Sequence, residues 1–252
     1  MYYNMTIIEI EEIQNDTMYD LKPIKEVMDI YVPDIIDNVS RRNGMIYILT
    51  GSGGSGKSSL LLSFFQKASP VYRNKFNNIY YICPESSYLS VKNHPFRKHD
   101  KIYHELSLDV LENIYSDLIE IKEDATTNKK KQKYNLVIID DYADNLKNKS
   151  MISILNKLLI KARHLNCSFI FTLQSYFYFP KILRKQITYC TIFKPKNVAE
   201  FETLSKELFN MKSEDALKLF NFVFDAQYNH LDVDTVLNKY YKNFNELILT
   251  EK

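Results

Sequence analysis

Residues 45–65 read Met45-Ile-Tyr-Ile-Leu-Thr50, then Gly51-Ser-Gly-Gly-Ser-Gly-Lys57-Ser58, then Ser59-Leu-Leu-Leu-Ser-Phe-Phe65. An apolar run enters a glycine loop, and the loop opens into an apolar helical pattern. Gly51, Gly56, Lys57 and Ser58 fit the phosphate-binding spacing G-x-x-x-x-G-K-[ST]. Glycine lets the backbone curl so that successive N–H groups face phosphate oxygens. Lys57 has the reach for β- and γ-phosphates, and the Ser58 hydroxyl is a hard oxygen donor for Mg²⁺. The whole loop, Gly51, Ser52, Gly53, Gly54, Ser55, Gly56, Lys57, Ser58 and Ser59, is therefore a candidate nucleotide cradle. All five glycines of the chain fall between Gly44 and Gly56.

Working outward, short apolar runs alternate with helical patterns. Ile46–Thr50 predicts the first core strand, and residues 57–69 the helix after it, closed by Pro70. Residues 78–83 and 136–139 predict buried strands, the second ending in Asp140-Asp141. Ser107 predicts the cap of a helix with Leu108, Leu111, Ile114, Tyr115 and Leu118 on one face, and residues 123–133 a lysine-bearing surface loop. Ser150 predicts the start of a helix ending near Arg163-His164. Residues 168–173 predict a strand that delivers Gln174, and residues 187–193 another. Pro180 opens a short helix carrying Arg184. Asn197 and Glu200 form a capping box for a helix through Phe209, and Ser213 caps one more. Thr6–Ile13 reads as an edge strand within a lead-in, residues 1–43, packed on a single domain, 44–252. Strand and helix alternation predicts an α/β fold: a mainly parallel sheet with helices on both faces and ligands at the carboxyl ends of the strands.

The candidate chemistry follows from those strand ends. Asp140 would hold Mg²⁺ beside Ser58, and Asp141 would polarise an attacking water. Gln174 would bond that water or the γ-phosphate. An arginine from a neighbouring subunit would neutralise the developing charge, with Arg163 the first candidate and Arg184 the second.

Composition bounds the rest. The 252 residues carry a formal charge of +2 and 45% apolar residues, so no global field marks a nucleic-acid binder. Three dispersed cysteines, Cys83, Cys167 and Cys190, suit a reducing compartment and give no zinc spacing. No basic-then-apolar leader opens the sequence, and no apolar run approaches the roughly 18 residues of a membrane span. The five histidines show no metal spacing, and His94 and His99 share a loop with Arg97 and Lys98 that reads as basic surface.

Together, Gly51–Ser58, Leu136–Asp141, Arg163-His164, Phe171–Tyr176, Pro180 and Arg184 resemble the genome-packaging ATPases of poxviruses, other large DNA viruses and virophages. These belong to the FtsK–HerA division of P-loop motors. The resemblance covers roughly residues 40–195. It implies a RecA-like P-loop NTPase core, ATP and Mg²⁺ as cofactors, and a hexameric or pentameric homo-oligomeric ring. It further implies movement of double-stranded DNA into a capsid, a capsid protein as further partner, and residence in the host cytoplasm (the viral factory) and the virion. Lys57, Asp141, Gln174 and a trans Arg163 would be catalytic, with Ser58 and Asp140 on the metal. Many members of the wider division carry Asp-Glu where this chain has Asp140-Asp141, which supports the viral branch. A nucleotide-gated binding protein that moves no DNA stays open beside this reading, and so, further back, does a small-molecule phosphotransferase.

Overall fold

The computed structural model describes residues 8–12, 44–66, 72, 75–131, 133–209 and 211–251. Most of the expected lead-in and residues 67–70 lie outside these residues; the first helix, expected over 57–69, already ends at Ser63.

Among the described residues, ten strands form one sheet in the order β1-β10-β9-β8-β7-β2-β6-β5-β3-β4. Six of them are parallel neighbours: β7 (Tyr189–Phe193), β2 (Ile46–Thr50), β6 (Cys167–Leu173), β5 (Asn135–Asp140), β3 (Asn78–Ile82) and β4 (Ile102–Tyr103). Strand β2 is buried along its whole length, because helices cover both faces of a parallel sheet. Its side chains alternate between two apolar clusters. Ile46 and Ile48 join Val137, Ile139, Phe169 and Phe171 on one face. Tyr47 and Leu49 join Leu136, Ile138 and Ile170 on the other, against Leu60, Leu61 and Leu62 of helix α1 (Lys57–Ser63).

The first face is closed by two amphipathic helices. In α3 (Leu108–Thr127), which follows the short α2 (Glu85–Leu89), Leu111, Ile114 and Leu118 recur at three- and four-residue spacing and are buried. Helix α4 (Lys149–Ile160) buries Met151, Leu155, Leu158 and Leu159. The Ser107 hydroxyl accepts from Val110 N, as its position predicts.

Several local expectations are corrected. Helix α3 runs through Thr127, taking in half of the expected lysine loop, because Lys122, Glu123 and Ala125 are good helix formers with an apolar face still to bury. Helix α4 is capped by Asn148, whose side chain accepts from Ser150 N and Met151 N, rather than by Ser150. Asn197 caps α6 (Val198–Leu204), which follows α5 (Lys181–Arg184). The Glu200 carboxylate, however, turns away to accept from Ser175 Oγ and Tyr176 N, so only half of a capping box forms. Ser213 is the first residue of α7 (Ser213–Val223) and not its cap. His94 is buried among Tyr81, Tyr88 and Phe96 instead of lying on a basic surface, and burial pushes its pKa down to about 4, leaving it neutral.

The largest departure is at the C-terminus. Strands β8 (His230–Asp234), β9 (Lys239–Lys242) and β10 (Asn245–Glu251) continue the sheet as an antiparallel meander from β7. The early strand β1 (Ile8–Glu12) pairs with β10 at the outer edge, as an edge strand was expected to do. Thus "mainly parallel" holds for the six strands around the glycine loop, while the other four extend the sheet antiparallel.

The seam between the two halves carries a buried polar network. The Asp232 carboxylate, fully buried, accepts from Thr191 Oγ1 and Phe244 N and lies 3.0 Å from His230 Nδ1. Thr191 in turn meets the Tyr47 hydroxyl at 2.7 Å. Removing the acceptor strands several buried donors at once. Asp232→Ala is expected to cost about 3–5 kcal/mol, read as a lower urea midpoint at unchanged m-value. A loss below about 1 kcal/mol would show that the seam does not depend on this network.

Candidate active site

The glycine loop leaves β2 at the carboxyl end of the sheet. Gly51 N donates to Leu173 O at 3.1 Å, tying the loop to the end of β6. Gly54 (φ 75°) and Gly56 (φ 105°) adopt backbone that side-chain-bearing residues rarely tolerate. A Cβ on Gly51 would lie 2.6 Å from Phe193 Cβ, so the loop rests directly on the end of β7. Gly53 and Gly54 face open space and are exposed, as is Ser58; Ser52, Ser55 and Ser59 are half-buried. The loop is therefore folded against the ends of β6 and β7, with Ser58 presented on the first turn of α1.

Lys57 is nearly buried, and its Nζ donates to Gly51 O at 2.6 Å and Ser52 O at 2.9 Å. An ammonium has three protons, so one more acceptor can be served. Burial lowers its pKa, and the Asp141 and Asp140 charges oppose that shift.

Asp140 closes β5 and stands in register with Thr172 of β6. Its two oxygens are each held by a hydroxyl: Thr172 Oγ1 donates to one and Tyr81, from β3, donates to the other at 2.8 Å. Burial raises the Asp140 pKa above the ordinary 3.8; the two hydroxyls work against this, and the neighbouring Asp141 adds to it. Asp141 itself takes left-handed backbone (φ 62°) with its N–H on Thr172 Oγ1 at 3.0 Å. That turn swings its side chain to the surface, where Oδ1 accepts from Gln174 Nε2 at 3.1 Å. Asp140, Asp141, Gln174 and Lys57 thus converge as expected.

The residues fit a nucleotide with its metal. Two hydroxyls at the loop, Thr50 Oγ1 and Ser55 Oγ, are buried with no partner among the described residues, as polar atoms awaiting an oxyanion or water would be. Asp140 keeps lone pairs beyond the two in use, and with Ser58 it supplies the oxygen donors that Mg²⁺ takes.

The two arginines part ways. Arg163 lies in the turn before β6, at the opposite edge of the sheet from the glycine loop, and is exposed. Gly44 (φ 74°) makes room for it: a Cβ there would sit 2.6–2.9 Å from Arg163 N, Cγ and Cα. Gly44 therefore serves this turn and not the phosphate loop. Arg163 cannot reach the site of its own chain. Arg184 is committed internally: it donates to Phe179 O at 2.8 Å, makes a two-pronged contact with Glu207 at 3.0–3.1 Å and covers the Tyr176 ring. It pins the segment after Gln174.

Tyr81, Thr172 and Phe193 escaped sequence reading. Each sits on a strand neighbouring the motif strands, and its role depends on strand order and register. The one available signal was that Thr172 lies two residues before Gln174, on the same face of β6.

A profile described as Poxvirus A32 protein matches residues 37–248. The DNA packaging protein OPG160 of vaccinia virus (strain Copenhagen) is 28% identical over 190 residues, covering 73% of this chain and 65% of the relative; the monkeypox virus counterpart is 29% identical over 190 residues and 59% of its length. The matches therefore span less than two thirds of these relatives. Among solved structures, B204, the DNA-packaging ATPase from Sulfolobus turreted icosahedral virus, superposes with a TM-score of 0.55 at 19% identity, over 80% of this chain and 98% of that one. EssC (ATPases 2 and 3) from Geobacillus thermodenitrificans superposes with a TM-score of 0.53 at 16% identity, over 83% of this chain and 39% of that one. These likenesses show that the chain shares its fold with B204 and EssC. With the profile covering most of its length, the chain belongs to the poxvirus A32 protein family.

Proposed function

We propose that this chain is an ATP-hydrolysing motor that moves double-stranded viral DNA into a capsid, working in the host cytoplasm as a homo-oligomeric ring. The observation that carries the reading is the convergence of Lys57, Asp140, Asp141 and Gln174 at one edge of the sheet. A nucleotide-gated binding protein needs the lysine and the loop but not an exposed carboxylate coupled to a strand-end amide. The names of the vaccinia and monkeypox relatives support the DNA cargo.

In this reading the Gly51–Ser59 loop cradles the triphosphate, and Lys57 draws charge from the β- and γ-phosphates. Bound Mg²⁺ would neutralise phosphate charge, held by Ser58 and, through water, by Asp140. Asp141 takes or polarises the proton of the attacking water. Gln174, already bonded to Asp141, orients that water and moves when the γ-phosphate leaves. Its displacement would pass to the 175–184 segment that Arg184 and Glu200 anchor. Arg163, too far to act on its own subunit's site, would complete a neighbour's.

Three measurements test this. Steady-state hydrolysis should rise with long double-stranded DNA and the stimulation should weaken with salt. Turnover indifferent to DNA would remove translocation and favour the nucleotide-gated switch. Asp140→Asn should lower hydrolysis by at least about 100-fold without lowering Tm near pH 7. Because its raised pKa makes charging costly, Asp140 favours the fold most below pH 3.8 and loses that benefit as pH rises through the folded value. A clear drop in Tm would contradict the burial argument. Finally, Arg163→Ala subunits mixed with Lys57→Ala subunits should regain hydrolysis in mixed rings. No recovery in rings shown to be mixed would rule out Arg163 as the trans arginine.

A further inference from the structure

Helix α3 and the turn 161–166 enclose a groove of about 520 Å³. It lies at the amino ends of β5 and β6: Asn135 N donates to Asn166 O there, and the turn leads into Cys167. The carboxyl ends of the same strands carry Asp140 and Gln174, so the groove opens on the opposite edge from the nucleotide loop. Ile119 and Leu165 supply apolar lining, and Lys122, Lys161 and His164 line it with positive or protonatable groups; Glu123 is the carboxylate among the lining residues.

Lys161 Nζ donates to the Tyr115 hydroxyl at 2.8 Å, and Lys157 Nζ lies 4.3 Å over the same ring. Among the described residues neither lysine is paired with a carboxylate. The field of the two, led by the Lys161 hydrogen bond, lowers the Tyr115 pKa. Past the groove, Lys133 lines a small adjoining hollow with Lys122, and Lys129 and Lys131 follow at the surface, while Asp124 pairs with Lys130. The strip 115–133 holds five lysines against four carboxylates, of which Asp117 pairs with Lys101 and Asp124 with Lys130, and residues 157–161 add Lys157 and Lys161 with no carboxylate. These two stretches together carry a net +3, against +2 for the whole chain.

The shape says what kind of anion fits. Tyr115 to Thr127 spans about 18 Å of helix at 1.5 Å per residue, and the lysine turn lengthens the strip. One free phosphate would occupy a small part of it. Duplex DNA presents one charge per about 1.7 Å of axis, so several phosphates would face such a strip together.

We propose that this groove and the adjoining lysine turn are where the chain grips the phosphate backbone of double-stranded DNA. The inference rests on the motor reading and adds to it the contacting surface. Lys122 and Lys161 meet phosphate oxygens, Tyr115 holds Lys161 and Lys157 in place, and binding carries no base preference because only phosphates are touched.

The test uses the full chain and a short labelled duplex, with anisotropy followed between about 50 and 200 mM salt. Lys122→Ala/Lys161→Ala should bind roughly tenfold more weakly at low salt, with a salt slope shallower by about 2. Its basal hydrolysis without DNA should be unchanged. Lys122→Arg/Lys161→Arg should keep parental affinity, which separates lost charge from lost folding. A matched surface variant, Lys206→Ala/Lys218→Ala, should bind as the parent does. If the parent binds DNA in a salt-dependent way and the alanine pair matches that surface variant, the groove assignment is overturned and the motor reading stands. If the parent hydrolyses ATP but binds no duplex, the motor reading fails and takes this assignment with it.

Discussion

The site depends on one buried charge. Asp140 sits inside the sheet, where an ionised carboxylate is costly, and two hydroxyls from flanking strands hold it. That arrangement requires β3, β5 and β6 to be neighbours, parallel and in one register. A slip of one residue would turn Thr172 to the other face and leave Asp140 without half its support. Thr172 also receives the Asp141 N–H, so the same hydroxyl organises the exposed carboxylate and through it Gln174. The chemistry proposed for this edge is thus built on strand register rather than on any single loop.

A second constraint is close approach at both ends of β2. At the carboxyl end Gly51 lies against Phe193, and at the amino end Gly44 lies against Arg163. In each case a side chain would collide with the neighbouring strand or turn. The strand between them is buried throughout, with one face on each of the two cores. It therefore joins the nucleotide edge to the basic edge as a stiff central element. Four of the five glycines stand where backbone must come within contact distance or bend to positive φ; Gly53 does neither.

Much of the parallel half was legible locally. The runs read at 46–50, 78–83, 136–139 and 168–173 are short, largely apolar and bounded by polar or turn residues, as strands buried on both faces must be. The phosphate loop and the Asp140–Asp141 pair follow from residue type and spacing. Errors arose where several side chains competed for one local role. Asn148 outbid Ser150 for a cap, and Glu200 served Ser175 and Tyr176 instead of its own helix end. The antiparallel meander was obscured because its strands mix aromatic and charged residues, and their pairing partners lie as far away as β1.

By itself, the sequence determined the phosphate loop, the acidic strand end, the strand-end glutamine and the alternation that demands a layered α/β fold. Those features are local, and hydrogen-bonding capacity, backbone freedom and apolar periodicity act over a few residues. Only the tertiary structure decided that Tyr81 and Thr172 clamp Asp140, that Arg184 is spent on Glu207, and that Arg163 lies on the far edge. It alone brought Lys157 and Lys161, distant in sequence, against Tyr115. Those facts turn on strand order, register and which helix covers which face, and such long-range packing leaves no periodic signature in the chain.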